Sequence, residues 1–219
     1  MEFKRITIIS GHYGSGKTNI AVNLAFDLKS QAENVALADI DIVNPYFRSK
    51  DSEVMLKKAG IRLICSEYAN SNVDIPALPQ DMYSVTDDKS LFSILDVGGD
   101  ERGALALGRI APKIREENDF DMLYVVNKFR PLTKDANSAI EIMCEIEAAC
   151  GLEFTGIINN SNLGPETKME DVLNSLEYAN EISRLTNLPI VWTTVEEKLF
   201  EPLKNKINNL YPVSMQKKI

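Results

Sequence analysis

An α/β fold, doubly wound with a mostly parallel sheet and helices on both faces, is what this sequence predicts, and three observations carry the expectation. Short β-branched runs alternate with longer segments of helical spacing from one end of the chain to the other. Those runs are continuously apolar rather than alternating, as in strands covered on both faces. The first run passes through the glycine-rich stretch GHYGSGKT straight into a helical pattern, which is a strand, loop and helix in sequence. A doubly wound sheet binds its ligand beyond the carboxyl ends of its strands.

Strands are expected over Arg5 to Ser10, Val35 to Asp39, Arg62 to Cys65, Leu91 to Asp96, Met122 to Asn127, Gly156 to Asn159 and Ile190 to Thr194. Between them, Lys17 to Ser30, Lys50 to Ala59, Gly103 to Glu117, Thr133 to Ala149, Lys168 to Arg184 and Val195 to Asn209 read as helices. Pro112 should kink or divide the third of these, because proline has no N–H to give the helix. The last carries an apolar stripe of Leu199, Leu203, Ile207 and Leu210. Glu196, Glu197 and Glu201 make its polar side acidic, so it is expected to pack on the domain rather than on a membrane. Ser66 to Lys89 is the least regular stretch and contains the apolar string IPALP, a candidate surface for a partner or second substrate. With no repeat and no long linker, residues 1–219 are expected to form a single domain.

Composition narrows the functional classes. The chain has 219 residues, 44% of them hydrophobic, enough to bury a core that offsets the entropy of ordering. Against 24 Lys and Arg stand 32 Asp and Glu, a formal charge of −8, so a general attraction to nucleic acid or anionic membrane is not expected. No apolar run reaches the roughly 18 to 20 residues that span a bilayer. The N-terminal apolar stretch is too short for a signal peptide, and a cytoplasmic location is the expectation. Cys65, Cys144 and Cys150 are widely spaced and His12 is the single histidine, which argues against a disulfide framework or a zinc site made by one chain.

GHYGSGKT matches the phosphate-binding pattern GxxxxGK[ST] through Gly11, Gly16, Lys17 and Thr18. Glycines let the backbone curl so that several N–H groups point at one anion, with Lys17 reaching the β and γ phosphates and the Thr18 hydroxyl available to Mg²⁺. Gly14, Ser15 and Asn19, within and just after the loop, belong to the same candidate site. After the second strand, ALADIDIVNPYF puts Asp39 and Asp41 two apart. After the fourth, SILDVGGDERG supplies Asp96 and, three residues on, Gly99. An Asp at the end of a strand beside the phosphate loop can hold Mg²⁺ through water, and a glycine N–H can sense a γ-phosphate. Three strand ends thus converge on one triphosphate.

In GHYGSGKT, in the Asp39/Asp41 pair running into NPYF, and in DVGGDERGA the sequence resembles the ParA, MinD and CooC group of ATPases. The wider class includes the nitrogenase iron protein and the signal-recognition GTPases. The resemblance covers most of the chain. It implies that Lys17 binds phosphates and Thr18 ligates Mg²⁺, that Asp41 orients the attacking water, and that Asp39 and Asp96 support the metal from behind its ligands. Gly99 would couple the γ-phosphate to the loop that follows, and ATP would be sandwiched in a homodimer. One position departs from the pattern: where the family has a lysine that crosses the dimer, five residues before Lys17, this chain has His12. A histidine is neutral or partly charged near pH 7 and reaches less far.

Asn127 follows the fifth strand, and Asn159 and Asn160 close the sixth. An asparagine amide offers a donor and an acceptor together, as a purine edge requires. The resemblance points to the asparagine after the sixth strand, Asn159 first and Asn160 next. NKFR lacks the aspartate of the guanine-binding NKxD, which favours ATP over GTP. The expectation is a Mg-ATP-dependent switch ATPase acting on a client protein. A small-molecule phosphotransferase or ATP-dependent synthetase on the same fold, and a nucleotide sensor with little turnover, are the rival classes.

Overall fold

A computed structural model describes residues 3–40, 52–65 and 80–215. The strands are β1 Ile6–Ser10, β2 Val35–Ile40, β3 Arg62–Cys65, β4 Phe92–Val97, β5 Phe120–Val126, β6 Gly156–Asn159, β7 Ile190–Glu196 and β8 Leu210–Val213. They form one sheet in the order β3-β2-β4-β1-β5-β6-β7-β8, with every neighbouring pair parallel. The helices are α1 Lys17–Lys29, α2 Glu53–Lys58, α3 Ser84–Asp87, α4 Glu101–Gly108, α5 Ala111–Glu117, α6 Ala136–Cys150, α7 Met169–Thr186 and α8 Glu197–Leu203. This is the doubly wound α/β architecture that the alternation predicts.

Strand residues alternate between two cores. Ile6, Ile8, Met122 and Tyr124 are buried with Leu107 of α4, Ile114 of α5, Met143 of α6 and Ile182 of α7. Ile9, Leu37, Ile94, Leu123 and Val125 are buried with Ile20, Leu24 and Leu28 of α1. Both faces being apolar explains the unbroken hydrophobic runs, since a parallel sheet leaves neither face to water. From β1 the chain winds out through β2 and β3, returns at β4, and crosses β1 to reach β5. The winding reverses between β4 and β1, so the carboxyl ends there border the crevice where such sheets bind ligands.

At the opposite end of β1 the sheet is anchored by Arg5, which is 4% exposed. Its guanidinium donates to the carbonyls of Val85 at 2.9 Å and Leu91 at 2.8 Å and is paired with Glu117. That pairing, with Lys89 also at hand, holds the Glu117 carboxyl below its ordinary range.

One expected division is present, and two stretches differ from expectation. The helix expected over Gly103 to Glu117 is divided into α4 and α5, with Pro112 in the first turn of α5 where its missing N–H costs nothing. Asp100 caps α4 by accepting from the Gly103 N–H at 3.0 Å. The helix expected over Val195 to Asn209 ends at Leu203, and Leu210–Val213 forms β8, parallel to β7, with Tyr211 opposite Thr194. Leu203 and Ile207 are buried together, with Leu199 and Leu210 packed against them, so the apolar stripe was sound while the element was not. Pro212 is tolerated because β8 is an edge strand. Finally, the irregular stretch holds α3 and a 3-10 turn at Gln80–Tyr83, whose Met82 enters the core. IPALP and the rest of 66–79 lie outside the described residues.

Candidate functional site

The loop between β1 and α1 is shaped by backbone packing. A Cβ on Gly11, whose φ is +148°, would stand 2.3 Å from the Val125 carbonyl oxygen of β5. One on Gly99 would stand 1.8 Å from the Gly11 carbonyl oxygen. Three chain segments therefore meet main chain to main chain, which no residue with a side chain would permit. Within the loop the Ser15 N–H donates to the His12 carbonyl at 3.1 Å, and Gly16 at φ +94° leads into α1.

Lys17 opens α1 with only 5% exposure, its Nζ 3.3 Å from the His12 carbonyl oxygen, curled back over the loop. Thr18 follows, 7% exposed. The Ser10 and Ser15 hydroxyls are buried and make no hydrogen bond with any described residue, which fits a loop built around an oxygen-rich ligand. Burial, Lys17 and Arg130 all press His12 toward its neutral form, lowering its pKa from the usual value.

Asp39 and Asp96 are register partners on β2 and β4, 8% and 0% exposed. They follow Leu37 and Ile94 by two residues, and those two belong to the core beneath α1, so both carboxylates are carried on the α1 side of the sheet. Among the described residues no cluster of three or more His, Cys, Asp or Glu side chains forms a metal cage. Asp41 lies outside the described residues.

A cavity of about 360 Å³ runs from Gly14, Lys17 and Thr18 to the ends of β6, β7 and β8. Asn19, Asn160, Thr194 and Met215 are among the residues that line it. The asparagines part company here. Asn159 is 0% exposed and lies outside the cavity wall, its Nδ2 donating to Ser175 at 2.9 Å and its Oδ1 accepting from the Ser161 hydroxyl at 2.7 Å. Asn160 is in the wall. Its Nδ2 donates to the Ser15 carbonyl at 2.6 Å and its Oδ1 accepts from Thr194 at 2.5 Å, so one side chain ties the phosphate loop to β7. A Cβ on Gly16 would stand 2.2 Å from that Nδ2. Asn127 lies outside the cavity wall, its Oδ1 accepting from the Phe129 N–H at 3.0 Å and its Nδ2 donating to the Asn162 carbonyl at 3.4 Å.

Thr194, Val213, Met215 and Arg130 are cavity residues that sequence reasoning did not assign to the site. The first three belong to or follow late strands without a motif of their own, and Leu210–Val213 is not among the strands the sequence predicts. Arg130 has a signal, its place in NKFR in the turn after β5, but that motif speaks in sequence only to the choice of base.

A strand, an anion-binding loop and a helix at the reversal of a parallel sheet define a P-loop nucleotide-binding protein. The chain belongs to the CobQ/CobB/MinD/ParA nucleotide-binding domain family, whose model matches residues 6–173. Solved structures share the fold at low identity. The signal recognition particle receptor FtsY from Elizabethkingia anophelis is 21% identical with a TM-score of 0.52, the match covering 91% of this chain and 61% of that one. FtsY from Thermotoga maritima is 18% identical with a TM-score of 0.57, covering 90% of this chain and 63% of that one. Chloroplast FtsY from Physcomitrella patens is 16% identical with a TM-score of 0.59, covering 90% and 60%. The chain thus spans about three fifths of the length of these structures. No curated protein matches it in sequence. Among the described residues no helix is long and apolar enough to cross a membrane.

Proposed function

We propose that the protein is a Mg-ATP-dependent switch ATPase that couples hydrolysis of the γ-phosphate to a client protein. The observation that carries this reading is the buried Lys17 at the start of α1, folded over a glycine loop that opens into a cavity of about 360 Å³. In this reading the loop N–H groups and Lys17 hold the phosphates, and stabilise the charge that develops on them. Thr18 would hold Mg²⁺, with Asp39 and Asp96 supporting it through water, and the ion would offset charge on the phosphates; a cation that keeps several waters needs no all-protein cage. Asp41 orients the attacking water, and Gly99 passes the state of the γ-phosphate to α4. Asn160, rather than Asn159, stands on the base side.

ATP is favoured over GTP by the absence of an acidic residue in NKFR. An ATP-dependent homodimer, a single domain and a cytoplasmic setting complete the proposal. A nucleotide sensor with little turnover is the competing reading, and His12 at the place of the family's lysine is what favours it. Calorimetry with Mg-ATP and Mg-GTP, followed by single-turnover release of phosphate, separates the two. Lys17→Ala should weaken ATP binding by at least tenfold, since a charge-assisted contact to phosphate is lost. Equal binding by the two proteins would overturn the nucleotide site itself, whereas tight binding without phosphate release would favour the sensor.

A further inference from the structure

The turn after β5 is braced far more than a connection requires. The Phe129 N–H donates to the Asn127 side chain at 3.0 Å, the Arg130 N–H to the Asn127 carbonyl at 3.1 Å, and the Thr133 hydroxyl to that carbonyl at 3.0 Å. The Lys128 N–H is held by the Ser161 hydroxyl at 3.0 Å, and the Thr133 N–H returns to the Arg130 carbonyl at 3.1 Å. Asn127 and Thr133, which anchor these bonds, are each 1% exposed. The fixed point of this turn is the backbone of Arg130, followed by Pro131.

Arg130 projects from there onto the phosphate loop. A Cβ on Gly14 would stand 3.3 Å from its Nε and 3.4 Å from its Cζ, and the residue lines the same cavity as Lys17 and Thr18. Its guanidinium forms no hydrogen bond or ion pair with any described residue, although the chain carries 32 acidic side chains. Lys128, two residues earlier, is different: its Nζ donates to the Asn174 carbonyl at 3.0 Å, outside the cavity. A cation held by a rigid turn, without an anion among the described residues and set against an anion-binding loop, is arranged for an anion from outside the chain.

We infer that Arg130 is a nucleotide ligand, a second cation that grips the phosphate chain from beside Gly14. The inference rests on the reading of this cavity as a nucleotide site. A planar guanidinium can donate two parallel hydrogen bonds to phosphate oxygens, which the Lys17 ammonium cannot, so Arg130 fixes orientation as well as adding charge.

The test is calorimetric titration of the full chain with ATP, ADP and adenosine at fixed Mg²⁺ and ionic strength, using Arg130→Ala, Arg130→Lys and Lys128→Ala. Arg130→Ala should weaken ATP and ADP by about ten- to a hundredfold, the range for a hydrogen bond to a charged group, and change adenosine little. Arg130→Lys should keep part of the affinity that Arg130→Ala loses, and Lys128→Ala should bind as the parent does. Thermal midpoints without nucleotide should match the parent, since the guanidinium makes no hydrogen bond or ion pair among the described residues. ATP affinity unchanged in Arg130→Ala, with Lys17→Ala defective, would overturn this inference and leave the nucleotide site standing. An equal loss for adenosine and ATP would also overturn it, in favour of the guanidinium stacking on the base. Failure of the parent protein to bind any of the three would overturn both readings.

Discussion

Asn160 shows how much one side chain does in this site. Its amide joins the Ser15 carbonyl of the phosphate loop to the Thr194 hydroxyl of β7, with 6% of its surface exposed. Removing it strands a buried acceptor and a buried hydroxyl, each of which had been satisfied. Asn160→Ala should therefore cost about 2 to 3 kcal/mol of stability and weaken ATP as the loop loses its brace. Asn159→Ala should also cost stability, because Ser175 and Ser161 lose a partner, while ATP affinity in the folded fraction stays near that of the parent. Urea denaturation paired with calorimetry distinguishes the two. Both asparagines were legible in the sequence as candidates; which one faces the cavity was not, because neighbouring residues at a strand end point to opposite faces.

Elements at the far end of the sheet serve the site by fixing β1. Arg5, at the start of that strand, gathers carbonyls from the α3 to β4 connection and pairs with Glu117 at the end of α5. Neutralising one partner of such a buried pair leaves a charge without compensation, so Glu117→Gln should destabilise the fold by about 3 kcal/mol. The pH dependence has a definite sign. Arg5 and Lys89 lower the folded-state pKa of Glu117 from 4.5, so its contribution is complete above that value and is lost as the pH falls toward and through the lowered one. Denaturant midpoints of the parent should accordingly fall faster with acid than those of Glu117→Gln. The division at Pro112 was readable in advance, since proline chemistry is local, whereas β8 was not. Leu199, Leu203, Ile207 and Leu210 do share one small core, but a turn after Leu203 rather than further helical turns brings the last two there.

At the scale of the whole molecule, His12 is where the proposed dimer would become sensitive to pH. Burial and the charges of Lys17 and Arg130 favour its neutral form in the nucleotide-free protein. A triphosphate brought alongside favours the charged form, so its pKa should rise on binding and ATP binding should take up protons. If ATP is sandwiched between two copies, the dimer should tighten with ATP and loosen as the pH rises through that raised value, and His12→Lys should remove the pH effect. Sedimentation of the Asp41→Ala protein with ATP and with ADP from about pH 6 to 8, the span around the ordinary histidine pKa, is the measurement. A monomer throughout would end the sandwich model, and a dimer indifferent to pH would discard the histidine.

The sequence by itself determined the class of this protein. Two-sided apolar runs admit only a covered parallel sheet, and GHYGSGKT marks the P-loop because that loop is continuous in the chain and its chemistry is set within eight residues. Tertiary structure alone decided what surrounds the loop. Arg130 meets Gly14, Asn160 meets Ser15, and Gly99 meets Gly11 across separations that only the strand order closes. The wall beyond them comes from β7, β8 and Met215. Local propensity cannot report such contacts, since they depend on which strands lie side by side and on which face each residue emerges.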